Sequence, residues 1–81
     1  PPWPNPFTES VTVSWHAIAG TPSHSAVYDA LGRRLHKEEL LPVSAGSREW
    51  TWNASSVTPG RYFVRIEQDG QSQSTTVLKA R

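Results

Sequence analysis

The sequence predicts an all-β domain, a small antiparallel β-sandwich of six to seven strands. Apolar and polar residues alternate in several short runs, and Gly or Pro residues fall between those runs. No window carries apolar residues at helical spacing over three turns, and the best one, 31–41, contains two Arg residues and stops before Pro42. A chain of 81 residues seldom forms more than one core, so we expect a single domain.

The alternation of apolar and polar residues predicts the position of each strand. Residues 11–15 alternate cleanly and put two Val residues and Trp15 on one face. Residues 61–67 form the strongest run, with Tyr62, Val64 and Ile66 on one face. The remaining strands are predicted at 25–29, at 34–38 (polar, and therefore near an edge), at 48–53 and at 74–78.

Turn residues separate these runs. Gly or Pro occurs within 19–22, 45–47 and 58–60, and an Asp-Gly pair at 69–70 is typical of a two-residue hairpin. Asp29 followed by Gly32 predicts a tight reversal, because Asp can accept hydrogen bonds from the amides that follow it and Gly tolerates positive φ. Short strands about 10 residues apart, without a helix, predict an immunoglobulin-like sandwich.

Composition excludes several classes of protein. Eight Lys and Arg against seven Asp and Glu leave a net charge of +1, and only Arg33 and Arg34 are adjacent, so we expect no nucleic-acid partner. The chain has no Cys, which excludes disulfides, thiolate metal sites and Cys nucleophiles. No apolar run is long enough to span a bilayer.

The titratable residues form no pattern that indicates catalysis or metal binding. The three histidines, at 16, 24 and 36, lack the spacing that would bring two imidazoles together on a strand or a helix. Glu38 and Glu39 are adjacent, so on a strand they point to opposite faces and cannot act as an acid–base pair. There is no nucleophile elbow and no Gly-rich phosphate loop. We therefore expect a protein that is not an enzyme and has no metal or small-molecule cofactor.

Four Trp residues in 81 are a high count with two interpretations. Exposed rings could stack on sugars, which would make Trp50 and Trp52, together with Trp3 and Tyr62, a glycan-binding platform. Large rings also fill the core of a small domain that has no disulfide. Trp50 and Trp52 alternate with polar residues, which favours core packing and leaves the glycan platform as the alternative.

Four segments, in order and at characteristic spacing, resemble a known family. They are Pro-Asn-Pro-Phe at 4–7, Val-Tyr-Asp-Ala-Leu-Gly-Arg-Arg-Leu at 27–35, Thr-Pro-Gly-Arg-Tyr-Phe-Val-Arg-Ile at 58–66 and Thr-Thr-Val-Leu-Lys-Ala-Arg at 75–81. Together they resemble the C-terminal sorting domains of the type IX secretion system. The related immunoglobulin-like domain of flagellar hook-capping proteins shares the first three features, and the ending Leu-Lys-Ala-Arg favours the sorting domains.

The resemblance assigns roles to particular positions. The motif positions, expected to be mainly structural, are Pro4, Asn5, Pro6, Tyr28, Asp29, Gly32, Arg33, Gly60 and Tyr62. A terminal strand presents an edge with which a receptor can pair. The residues expected to be recognised by the secretion machinery are Val77, Leu78, Lys79, Ala80 and Arg81.

The resemblance also implies a function. We expect a non-catalytic signal that directs a covalently continuous upstream cargo across the outer membrane of a Bacteroidota-type bacterium, through the periplasm and then to the cell surface or the medium. The implied partners are the type IX translocon and a surface sortase that cuts in the upstream linker. Residues 1–8 are then the end of a Pro-rich linker and the lead-in to the first strand, and residues 9–81 are the sandwich.

Two alternatives belong to other functional classes, since a fold alone does not fix a function. The domain could be an accessory carbohydrate-binding module, which requires exposed rings at Trp50 and Trp52. It could instead be a structural immunoglobulin-like module of a multidomain secreted enzyme, which requires contacts to a neighbouring domain and no export.

Overall fold

The chain forms six β-strands in a computed structural model that describes residues 3–18, 20–40 and 45–80. The strands are β1 (Ser10–Ala17), β2 (Ser23–Asp29), β3 (Arg34–Leu40), β4 (Gly46–Asn53), β5 (Gly60–Gln68) and β6 (Gln71–Lys79). The all-β prediction is confirmed, and none of the described residues forms a helix able to cross a membrane. Each strand contains its predicted run and extends beyond it at one or both ends, because ladder hydrogen bonds continue into polar residues.

The strands form two antiparallel sheets. One sheet pairs β1 with β4, and the other has the order β3-β2-β5-β6. The polar strand β3 lies at one edge of the larger sheet, as predicted, and β6 lies at the other edge. β5 occupies an interior position between β2 and β6, which suits the strand with the strongest predicted alternation because an interior strand has no free edge.

Inward-facing side chains from both sheets form one core. The predicted buried face of β5 is confirmed, since Tyr62, Val64 and Ile66 are all at most 5% exposed. Trp15 is partly buried and packs against the core at its margin. The core cluster consists of Phe7, Val11, Val13, Val27, Trp50, Trp52, Ala54, Tyr62, Val64, Ile66 and Val77.

Residues 3–7, here called the N-terminal strap, connect the edges of the two sheets. Trp3 pairs antiparallel with Thr12 of β1, through hydrogen bonds of 3.0 and 2.8 Å between their main-chain N and O atoms. Phe7 then pairs in parallel with Lys79 of β6. The strap therefore lies where a seventh strand would close one side of the sandwich.

The strap contributes Phe7 to the core, and Phe7 lies within residues 1–8, the predicted linker end and lead-in to the first strand. The Phe7 side chain is 1% exposed, and its ring meets Trp52 edge-to-face with a centroid separation of 6.1 Å. A single apolar residue between Pro6 and polar neighbours has no periodicity, so no alternation pattern could have indicated its burial.

The structure contains no glycan platform at Trp50 and Trp52. Their side chains are 8% and 6% exposed, because the Trp52 ring lies between Phe7 and Tyr62 and the Trp50 ring stacks on His36 with centroids 5.7 Å apart. Stacking on a sugar needs an accessible ring face. The core-packing interpretation of these two residues is confirmed.

Replacing Trp52 by Ala should therefore affect stability strongly. We expect Trp52→Ala to lower the free energy of unfolding by about 3–5 kcal/mol, because it removes a large buried ring and leaves a cavity. The control is Leu31→Ala, since Leu31 is 79% exposed and its loss should change stability by no more than about 0.5 kcal/mol. Urea unfolding followed by circular dichroism measures both variants, and equal effects would contradict the core assignment.

Candidate functional site

The segments that carry the family resemblance meet at one end of the sandwich. Asp29 is the register partner of Tyr62 across β2 and β5, and Tyr62 is in turn the partner of Val77 across β5 and β6. Gly60 faces Lys79, which also bridges to the strap. We call this region the motif end; it comprises residues 5–7, 29–33, 58–62 and 77–80.

The β2–β3 turn at the motif end is built around Asp29. One carboxylate oxygen, Oδ1, accepts hydrogen bonds from the amides of Leu31 and Arg33, both at 2.9 Å. The other, Oδ2, accepts one from Nε of Arg33 at 2.7 Å. Gly32 has φ +84° and donates its amide to the Asp29 carbonyl, so the predicted reversal is confirmed.

The same contacts set the charge state of Asp29. The amide of Arg33 lowers the pKa of this carboxyl group below its usual value of 3.8, against an opposing effect of desolvation, and the Arg33 side chain and the Leu31 amide lower it further. Asp29, Gly32 and Arg33 thus hold the turn in place. The other predicted motif residue of β2, Tyr28, is half-buried, and its register partner on β5 is Phe63.

Tyr62 fixes the loop between β4 and β5. Its hydroxyl donates a hydrogen bond to the carbonyl oxygen of Thr58, and its ring meets Trp52 edge-to-face at 5.3 Å. An open groove of about 410 Å³ lies between this loop and the β2–β3 turn, with the exposed side chains of Leu31 and Leu35 in its wall.

The residues expected to be recognised by the secretion machinery differ sharply in accessibility. Val77 is fully buried, whereas Leu78 is 43% exposed. Lys79 is partly buried, and its ammonium group donates hydrogen bonds to the carbonyl oxygens of Ala54 and Val57. Lys79 therefore holds the β4–β5 loop against the last strand, and Leu78 offers the more accessible side chain. Arg81 lies outside the described residues.

The edge of β6 is not free at this point, which differs from the expectation of an open terminal strand. The Leu78 amide donates to Oδ1 of Asn5 at 2.9 Å, and its carbonyl accepts from the Phe7 amide at 2.9 Å. The Ala80 amide donates to the Phe7 carbonyl at 2.6 Å. Main-chain groups at a strand edge need partners, and a contact between residues 73 positions apart leaves no local signal in the sequence.

In residues 3–18, 20–40 and 45–80, no group of three or more His, Asp or Glu side chains could hold a metal ion. The motif positions Pro4 and Pro6 are exposed parts of the strap and carry no main-chain N–H.

A comparison with protein-family models shows to which family the chain belongs. The model of the secretion system C-terminal sorting domain matches residues 2–80. The chain belongs to this family. Its role is that of a type IX sorting signal, which implies export toward the cell surface or the extracellular space. No curated protein and no solved structure gave a significant match.

Removing the Lys79 ammonium group should weaken the motif end. We expect Lys79→Met to lower the free energy of unfolding by about 1–3 kcal/mol, because two loop carbonyls lose their donor. Lys37→Met on the exposed edge strand β3 is the matched control and should cost no more than about 0.5 kcal/mol. Urea unfolding distinguishes the two, and a similar loss in both variants would show that the carbonyl contacts contribute nothing.

The Asp29 carboxylate should make stability depend on pH. Because its pKa is lowered by folding, its stabilising charge contribution is fully present at neutral pH and is lost as the pH falls through the folded-state pKa, below 3.8. Asp29→Asn keeps an oxygen acceptor but removes the charge. We expect the variant to be less stable than the wild type at neutral pH and the difference to shrink in acid, as measured by urea unfolding across that range. A difference that does not change with pH would contradict this assignment.

Proposed function

We propose that this domain is a non-catalytic signal that carries a covalently continuous upstream cargo through the periplasm and across the outer membrane by the type IX translocon. The observation that carries the proposal is the family match over residues 2–80. The cargo would then remain at the cell surface or pass into the medium.

We place the contact with the translocon at the motif end, around β6. Three of the five residues expected to be recognised are tied into the sandwich there: Val77 by burial, Lys79 by its loop contacts and Ala80 by its bond to the strap. The Leu78 main chain is bonded to the strap as well, but its large apolar side chain is 43% exposed. An exposed apolar side chain on an edge strand suits recognition by a protein receptor.

The strap also bears on where the sortase acts. A protease needs a segment of backbone that it can bind in an extended form, and packed segments resist cleavage. Trp3 and Phe7 are paired with β1 and β6, so the proposed cut lies N-terminal to Trp3, in the linker that joins the cargo. A cut there leaves the whole sandwich on the released fragment.

A reporter with a signal peptide at its N-terminus and these 81 residues at its C-terminus tests the proposal. We expect reporter activity at the surface or in the medium of a host with an intact type IX system, and periplasmic retention when the translocon is disabled. Retention in both hosts would reject the sorting function and favour a structural module.

Two matched substitutions locate the recognised surface. Leu78 and Leu35 are 43% and 44% exposed and lie on opposite edge strands of the same sheet. We expect Leu78→Glu to reduce export at least tenfold and Leu35→Glu to leave it within about twofold, with both proteins folded by circular dichroism; a tenfold change is about 1.4 kcal/mol of recognition free energy. Equal export of the two variants would show that the secretion machinery does not recognise Leu78 on β6.

A further inference from the structure

We infer that the outer edge of β6 is a strand-exchange site, where an extended segment of the receptor replaces the N-terminal strap. The incoming segment runs parallel to β6 and places a bulky apolar side chain where Phe7 now lies. The inference rests on the proposed function for the identity of the receptor. The site itself is defined by contacts within this chain.

The edge already holds an extended segment of this kind. Phe7 pairs in parallel with Lys79, and its amide and carbonyl bond to Leu78 and Ala80 at 2.9 and 2.6 Å. Its side chain is 1% exposed and meets Trp52 in the core. One extended residue therefore supplies both main-chain pairing and an apolar anchor, the two components of strand addition.

The strap uses this edge incompletely. Pro4 and Pro6 have no N–H to donate, so the strap adds to Phe7 only the side chain of Asn5, which accepts from the Leu78 amide. Alternation along a strand means that Thr76 and Ser74, like Leu78, direct their main-chain groups away from β5. Among the described residues, no main-chain hydrogen bond from outside the sheet reaches these two. A receptor strand without proline could pair with all of them.

The two edges of the larger sheet differ in how they are protected. β3 carries charges at Arg34, Lys37, Glu38 and Glu39, which discourage pairing with another strand. β6 has no charged residue before Lys79. Proteins usually protect edge strands with charge, proline or a covering segment. On β6, the strap supplies that cover, at the C-terminal end of the strand.

The strap has one advantage over a receptor strand, because it belongs to the same chain. Tethering gives it an effective concentration in the millimolar range, so a separate segment must offer more contacts to displace it. The apparent affinity for any competing strand is the intrinsic affinity reduced by the fraction of molecules in which the strap is open. Weakening the strap should therefore strengthen binding of a strand added from outside.

A peptide test measures exchange without any secretion readout. The probe is a fluorescent peptide with the sequence of residues 1–10, and its binding to the 81-residue chain is followed by anisotropy. We expect Phe7→Ala to bind the probe at least tenfold more tightly than the wild type, and a probe with Ala in place of its Phe to lose that binding.

A second variant keeps the test decisive if Phe7→Ala does not fold. Asn5→Ala removes one exposed strap contact and leaves the core intact, so we expect a smaller increase in probe affinity in the same direction. If the folded variants bind the probe no better than the wild type, or bind the Ala-containing probe equally well, strand exchange at β6 is overturned.

Export tests whether the receptor uses the same edge. Thr76→Pro removes an outward N–H that the strap does not contact, and proline is tolerated at such edge positions. With the fold checked by urea unfolding, we expect export of the reporter to fall at least tenfold, and unchanged export would overturn receptor pairing at this edge. If even the wild-type reporter is retained, the proposed function fails, and the peptide result alone decides whether the exchange site exists.

Discussion

The sandwich depends on the closure of its open side by the strap. Two sheets that share no strand depend on the side chains packed between them, and Phe7 supplies one of the largest fully buried ones. The strap reaches this position by pairing with β1 through Trp3 and with β6 through Phe7. Without these contacts, the Trp52 ring would lose one of its two aromatic neighbours, and the edge groups of Leu78 and Ala80 would lose their partners. The strap therefore buries the Phe7 ring and provides hydrogen-bond partners for the edge of β6 at the same time.

At the motif end, several residues of the family motifs make contacts that hold the fold together. Asp29 and Tyr62 each satisfy main-chain groups of a nearby turn or loop, and Lys79 donates to two carbonyls of the β4–β5 loop. The large apolar side chains exposed at the motif end include Leu31 in the β2–β3 turn and Leu78 on β6. Asp29, Tyr62 and Lys79 thus hold the turns and loops of the motif end in place.

The sequence was informative wherever an interaction is local. Strand β5 was predicted from alternation, and the reversal at Asp29 was predicted from Asp and Gly chemistry, because both depend on residues a few positions apart. It was uninformative about contacts between distant residues. Nothing near Phe7 indicates that it enters the core, and nothing near Leu78 indicates that Asn5 lies beside it. Burial of Trp50 and Trp52 was predicted as one of two alternatives, since an alternating strand has the same pattern whether its apolar face meets a sheet or a ligand.

The pairing of the strap with β6 also sets the order of events during synthesis. Phe7 emerges from the ribosome early, but its partners Leu78 and Ala80 are added more than 70 residues later. Long-range pairings of this kind form late in folding, because the intervening chain must first be ordered. The domain can therefore complete its core only after β6, its last strand, has been synthesised. A chain that stops before β6 leaves the sandwich unclosed, so a folded domain is evidence that the chain has been made at least through this strand.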